Sequence, residues 1–172
     1  YIIAEANRGL KGNKIEFPSI SVGATENAIL AAQGATGTTE MSNCAIEPEI
    51  LDLIQFLKKL GSKINISGRK IFIKGKKINK KKIYHKIIFD RIEAGTYLVA
   101  GALLGKKIQI KKIIPKFLKC EINVLKKMGA KIKTLKNSLF VEKSKDLKKT
   151  SVTTKPYPGF PTDLQAQLMV LM

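Results

Sequence analysis

Two hydrophobic rhythms alternate along this chain. After Pro48 the sequence sets Ile50, Ile54, Leu57 and Leu60 near helical spacing, and after Pro115 it does the same with Leu118, Ile122, Leu125 and Met128. Each stretch predicts an amphipathic helix, with a proline near its start where the missing N–H has no intrahelical acceptor to lose. Gly61 and Gly129 stand where a left-handed residue would end those helices. Beyond each glycine the rhythm changes to alternation: Lys63-Ile-Asn-Ile and Lys70-Ile-Phe-Ile-Lys in one place, Lys131-Ile-Lys-Thr and Ser138-Leu-Phe-Val in the other. These predict strands. Ahead of each amphipathic helix lies an Ala- and Leu-rich segment, Ala24 to Ala32 and Ala94 to Ala102, suited to a helix packed closely on a sheet. A turn at Gly37 or Gly105 then leads into a short strand, Thr38-Thr-Glu-Met or Ile108-Gln-Ile-Lys.

The two sets are copies of one pattern. Gly61 and Gly129 are 68 positions apart, and Gly37 and Gly105 repeat that offset, a period longer than those of solenoids. With an entering strand, each copy reads β-α-β-α-β-β. A third copy begins at Phe160-Pro-Thr-Asp-Leu-Gln-Ala-Gln-Leu. The expected fold class is α/β, built of repeats. The chain opens on Tyr1 and stops within the apolar run Leu168-Met-Val-Leu-Met172, so the expectation is an internal piece of a longer protein.

Composition narrows the class. With 44% hydrophobic and 26% charged residues in 172, the chain has the make-up of a globular protein. No apolar run reaches the ~18 residues of a membrane span, and the N-terminus has no secretory leader pattern. Two cysteines, Cys44 and Cys120, build no disulfide framework, which points to a reducing, cytoplasmic location. The formal charge is +19, with 15 basic and 7 acidic residues in 1–89 and 17 and 6 in 90–172. Only Arg8, Arg69 and Arg91 are arginines among 32 basic residues, and Trp is absent. That is poor material for base readout or stacking, which use the arginine fork and aromatic rings. The lysine excess fits drift in an AT-rich coding sequence better than a nucleic-acid face. The run from Lys74 to Lys86 predicts a solvated hairpin or a lysine-protected edge strand.

Few residues stand out as chemistry. His85 lies alone among Lys and Ile and reads as a surface histidine, so neither a metal site nor a histidine-based triad is expected. Cys44 and Cys120, without neighbouring His or Cys, read as core or boundary residues rather than zinc ligands. No P-loop or strand-linked G-x-G-x-x-G occurs. What remains is polar residues at helix entrances. Ser21-Val-Gly-Ala-Thr25 has the makings of a phosphate site, with Gly23 allowing close approach to backbone N–H groups. It also reads as an ordinary N-cap by Thr25 with Glu26 in the first turn. Asp90-Arg91 and Thr162-Asp163 occupy the equivalent entrances of the second and third copies, and each aspartate suits capping as well as function. Glu47 before Pro48 carries the same two readings.

Taken together, Ser21-Val-Gly-Ala-Thr-Glu-Asn27, Glu47-Pro-Glu-Ile50, Asp90-Arg-Ile-Glu-Ala-Gly-Thr96 and Tyr157-Pro-Gly-Phe-Pro-Thr-Asp-Leu-Gln-Ala-Gln167 resemble the enolpyruvyl transferases of the UDP-N-acetylglucosamine 1-carboxyvinyltransferase family. The motifs run in order through essentially the whole chain. The resemblance implies an inside-out α/β barrel of two lobes, each made of three β-α-β-α-β-β units. Residues 1–89 would end the first lobe and carry the UDP-sugar loop with one repeat unit. Residues 90–172 would form part of the second lobe, one unit and the start of the next, with the crossover near Ile88 to Arg91. The Lys-rich run would be the last hairpin of the first lobe.

The implied reaction moves enolpyruvate from phosphoenolpyruvate to the 3-hydroxyl of UDP-N-acetylglucosamine through a tetrahedral ketal, releasing phosphate, as the first committed step of peptidoglycan synthesis. It implies small-molecule substrates, no cofactor, no metal, no nucleic acid and no membrane partner. By resemblance Asp163 is the base beside the sugar hydroxyl, Ser21, Val22 and Gly23 contact UDP, and Thr162 holds the sugar. Glu47 and Asp90 match polar positions of the cleft, and Arg91 accompanies Asp90. Ser19 stands where some members carry Lys, and Ile46 where Arg is common. The family's mobile loop with its reactive Cys or Asp, the Lys-Asn pair and the C-terminal Arg that grip phosphoenolpyruvate lie outside this sequence. Cys44 and Cys120 match none of them. Two other readings compete: a 5-enolpyruvylshikimate-3-phosphate synthase-like transferase, whose substrate-loop signatures are not found here, and a non-catalytic basic nucleic-acid-binding module.

Overall fold

A computed structural model describes residues 1–75, 82–144 and 146–172. The chain divides into two compact units, Tyr1–Ile87 and Ile88–Met172.

In the first unit the elements run β1 (Lys14–Glu16), α1 (Val22–Gly34), β2 (Thr38–Ser42), α2 (Pro48–Lys59), β3 (Lys63–Ser67) and β4 (Lys70–Lys74). This is the expected β-α-β-α-β-β order. The strands form one sheet in the order β1-β2-β4-β3, with β1 parallel to β2 and the other pairs antiparallel. Alternation decides the face: Ile71 and Ile73 of β4 point into the core while Lys70 and Lys74 stay outside. Ile29 of α1, Met41 of β2 and the α2 stripe Ile50, Ile54 and Leu57 fill the rest of that core. Leu60, the last position of the stripe, is half-buried against it.

The second unit repeats the plan with α3 (Arg91–Leu104), β5 (Ile108–Lys111), a 3-10 turn (Pro115–Leu118), α4 (Lys119–Lys127), β6 (Lys131–Thr134) and β7 (Ser138–Glu142). A second 3-10 turn (Thr162–Leu164) and α5 (Gln165–Leu171) follow. Its sheet has the order β5-β7-β6, all antiparallel, which matches β2-β4-β3 of the first copy. Residues 82–90 lead into α3 without the entering strand that the repeat predicts. The core is made by Leu98 and Ala102 of α3, Leu118 of the 3-10 turn, Ile122 and Leu125 of α4, Met128 at its end, and Leu139 and Val141 of β7, with Phe160, Leu164 and Leu168 added from the third copy.

Both amphipathic helices end alike. Gly61 has φ +95° and Gly129 φ +99°. The amides of Gly61 and Ser62 reach the carbonyls of Lys58 and Leu57, while those of Gly129 and Ala130 reach Lys126 and Leu125. This is the paired bonding of a Schellman stop. The two starts differ. Pro48 opens α2 directly, whereas Pro115 opens a 3-10 turn closed by the Phe117 amide on the Ile114 carbonyl, and the α-helix proper begins only at Lys119.

Two readings from sequence change. Thr25 is not an N-cap: α1 starts at Val22 with Ser21 as its cap, and Thr25 lies inside the helix, fully buried. His85 is not a surface histidine either. Its side chain is 8% exposed, with Nε2 at 3.1 Å from Asp52 Oδ2 on α2 and its ring edge-on to Phe56. Lys59 Nζ, one turn along α2 from Phe56, donates to the Tyr84 carbonyl beside it at 3.2 Å. Cys44 is fully buried and Cys120 half-buried against the second core, as expected, and burial raises both thiols. Of the run Lys74–Lys86, expected as a hairpin or edge strand, Lys74 ends β4, residues 82–86 hold no strand, and 76–81 lie outside the described residues. Among the described residues no helix is long and apolar enough to cross a membrane.

Candidate substrate-binding site

In the first unit the entrance to α1 is built around two hydroxyls. Ser21 Oγ accepts from the Ala24 amide at 3.3 Å, while the Thr25 amide and hydroxyl both donate to the Ser21 carbonyl, the hydroxyl at 2.7 Å. The amides of Val22 and Gly23 lie ahead of these bonds at the positive end of the helix. A Cβ added at Gly23 would meet nothing within 4 Å, so packing within the protein does not demand glycine there. That bare backbone faces outward, as a close-approach position for a ligand should.

Thr25 also joins this turn to the next helix. Its Oγ1 accepts from the Ala45 amide at 3.0 Å, two residues before Glu47, which precedes α2. Asn43, held at φ +57°, sends Nδ2 to the Phe17 carbonyl at 2.8 Å. The segments leading into α1 and α2 are therefore tied to each other, and the Ser21–Gly23 turn and Glu47 are fixed in one frame. Glu47 is 3% exposed and its side chain makes no capping bond. The capping reading for Glu47 is thus set aside.

In the second unit Asp90 does cap. Its Oδ1 accepts from the Ile92 amide at 2.7 Å and the Glu93 amide at 3.1 Å. Arg91 next to it turns inward, 7% exposed, with Nη1 at 3.9 Å from Glu121 Oε1 on α4 and the guanidinium 5.8 Å over the Tyr157 ring. Burial raises the Glu121 carboxyl above its ordinary range, against a lowering by its own backbone hydrogen bond and by Arg91. Thr162 and Asp163 are exposed between two buried anchors, Phe160 and Leu164.

Leu164 sits where only a glycine lets it: a Cβ on Gly95 of α3 would fall 2.4 Å from Leu164 Cδ1. One turn further along α5, Gln167 Nε2 donates to Thr96 Oγ1 at 3.0 Å. Hence Asp90–Thr96 and Tyr157–Gln167, two separate motifs in the sequence, pack directly on one another. Gly95, Thr96, Leu164 and Gln167 carry this arrangement, and all but their membership of the motifs was invisible in the sequence. Among the described residues no group of three His, Cys, Asp or Glu side chains could hold a metal ion.

Residues 2–172 match the family model described as EPSP synthase (3-phosphoshikimate 1-carboxyvinyltransferase). The chain belongs to the EPSP synthase family. Within it, the chain is 50% identical to the UDP-N-acetylglucosamine 1-carboxyvinyltransferase of Pelagibacter ubique (strain HTCC1062), covering 100% of this chain and 41% of that protein. It is 47% identical to the protein of the same name from Wolbachia sp. subsp. Brugia malayi (strain TRS), over 99% of this chain and 40% of the relative. The chain thus spans about 40% of the length of these relatives. The solved enolpyruvyl transferase NikO from Streptomyces tendae aligns with a TM-score of 0.76 at 23% identity, over 87% of this chain and 36% of that one. The fold of this EPSP synthase family member is accordingly that of the enolpyruvyl transferases.

Proposed function

We propose that the protein at its full length transfers enolpyruvate from phosphoenolpyruvate to the 3-hydroxyl of UDP-N-acetylglucosamine in the cytoplasm, releasing phosphate in peptidoglycan synthesis. The observation that carries this reading is the 50% identity over the whole chain to a relative named for that reaction. In this reading 1–89 and 90–172 are parts of the two lobes of an inside-out α/β barrel.

The chemistry divides among the residues as follows. The outward amides of Val22 and Gly23, beside Ser21 Oγ, receive the diphosphate of UDP, an anion suited to a helix N-terminus. Thr162 holds the sugar. The exposed carboxylate of Asp163 accepts the proton of the 3-hydroxyl as the hydroxyl oxygen attacks C2 of phosphoenolpyruvate while C3 takes up a proton, giving the tetrahedral ketal. Loss of a C3 proton and of phosphate from C2 then restores the double bond. Glu47 and Asp90 shape the reacting end, the latter with Oδ1 committed to α3.

Phosphate release with phosphoenolpyruvate plus either UDP-N-acetylglucosamine or shikimate 3-phosphate tests the substrate. Release with the UDP-sugar alone is expected, and release with shikimate 3-phosphate alone overturns the reading while keeping the fold. Asp163→Asn preserves shape and removes basicity, so turnover should fall by about 10²-fold or more with a milder loss of sugar binding. Near-normal turnover removes Asp163 from the role.

A further inference from the structure

Asp163 is exposed and lies on a 3-10 turn of three residues, too short to define a direction for its carboxylate. Something outside the turn must aim it. The segment in front of it is stiff. Pro158 and Pro161 restrict φ, the Lys155 amide donates to the Phe160 carbonyl at 2.9 Å, and the Gly159 amide donates to the Pro156 carbonyl at 2.8 Å. A Cβ at Gly159 would fall 2.5 Å from Lys155 Cβ, so the loop is closed on itself. A stiff loop transmits a displacement of Tyr157 to Thr162 and Asp163 rather than absorbing it.

Tyr157 is held by Arg91. The guanidinium lies over its ring at 5.8 Å, and Glu121 on α4 stands behind at 3.9 Å. Arg91, Glu121 and Tyr157 all belong to the same compact unit as Asp163. Arg91 is 7% exposed, which suits a charge committed to neighbours within the fold better than one reserved for a ligand.

We propose that Arg91 is a positioning residue: it fixes Tyr157, and through the closed 154–160 loop sets the orientation of the Thr162–Asp163 turn. This rests on the reading of Asp163 as the base. The planar guanidinium can lie flat on a ring and still face a carboxylate; the compact ammonium of lysine cannot do both. The turn is then pinned on both sides to α3, by Arg91 upstream and by Gly95 and Thr96 downstream.

The test is a double-mutant cycle in the full-length protein, measuring turnover with saturating substrates and, separately, the affinity for UDP-N-acetylglucosamine. Arg91→Lys should lower turnover about tenfold or more in the wild-type background and leave affinity within about threefold. In the Asp163→Asn background it should lower turnover no further, because the base it aims is gone. Tyr157→Leu, which removes the ring, should reproduce Arg91→Lys, and it carries the test if Arg91→Lys does not fold. Equal losses in both backgrounds, or a loss confined to substrate affinity, overturn the inference and make Arg91 a direct ligand or a general support. Near-normal turnover in Asp163→Asn alone removes Asp163 from the role of base, and the inference, which rests on that role, falls with it.

Discussion

Glu121 illustrates how one buried carboxyl can work against the fold at neutral pH. It is 3% exposed and its pKa is raised, chiefly because burial disfavours the charged form. The folded chain therefore holds this proton more tightly than the unfolded chain does. The stability this contributes is complete below the ordinary glutamate value of 4.5 and is lost as pH rises through the higher folded value. Glu121→Gln has no charge to bury. Urea unfolding should show the variant gaining on wild type as pH rises above the ordinary glutamate value of 4.5. A gap that narrows with rising pH would mean that the Arg91 pairing outweighs burial. Thr25 shows the opposite economy: one hydroxyl, donating to Ser21 O and accepting from Ala45 N, serves two segments with no charge at all.

At the scale of elements, close approach is written into glycines inside α3. A Cβ at Gly101 would stand 2.3 Å from Val141 Cγ1 on β7, and valine has little rotamer freedom with which to retreat. Gly101→Ala should cost about 1–3 kcal/mol despite alanine's better helix propensity, measurable as a lower urea midpoint. Wild-type stability would show that α3 can lift from the sheet.

Most elements were legible because periodicity is a local property: the α2 and α4 stripes, the four strands after them and the glycine stops all appear where spacing put them. Two departures, at Thr25 and His85, share a cause, which is a partner distant in sequence. Ser21 rather than Thr25 caps α1 because Ala45, twenty residues on, draws the threonine hydroxyl inward. The His85 side chain turns inward to Asp52 of α2, thirty-three residues earlier. The site was legible as motifs but not as geometry. Nothing in the spacing told that Gly95 receives Leu164 or that Arg91 turns away from solvent.

For the molecule as a whole, the dominant long-range quantity is the charge of +19. Like charges on a compact chain repel, and salt screens them over a Debye length of about 10 Å at 0.1 M. Thermal unfolding should move upward with ionic strength, by about 2–4 °C for each kcal/mol relieved, between roughly 0.02 and 0.2 M salt. A midpoint that falls with salt would mean that attractive pairs dominate instead. The other global feature is the pair of matched helix stops at Gly61 and Gly129, with the same bonding and the same left-handed glycine. They are interchangeable joints, 68 residues apart. An unequal crossover between the gene segments encoding them would insert or delete one such cassette in frame, with a properly terminated helix at the seam. The heritable step in which a chain of this kind lengthens or shortens is therefore the distance between joints.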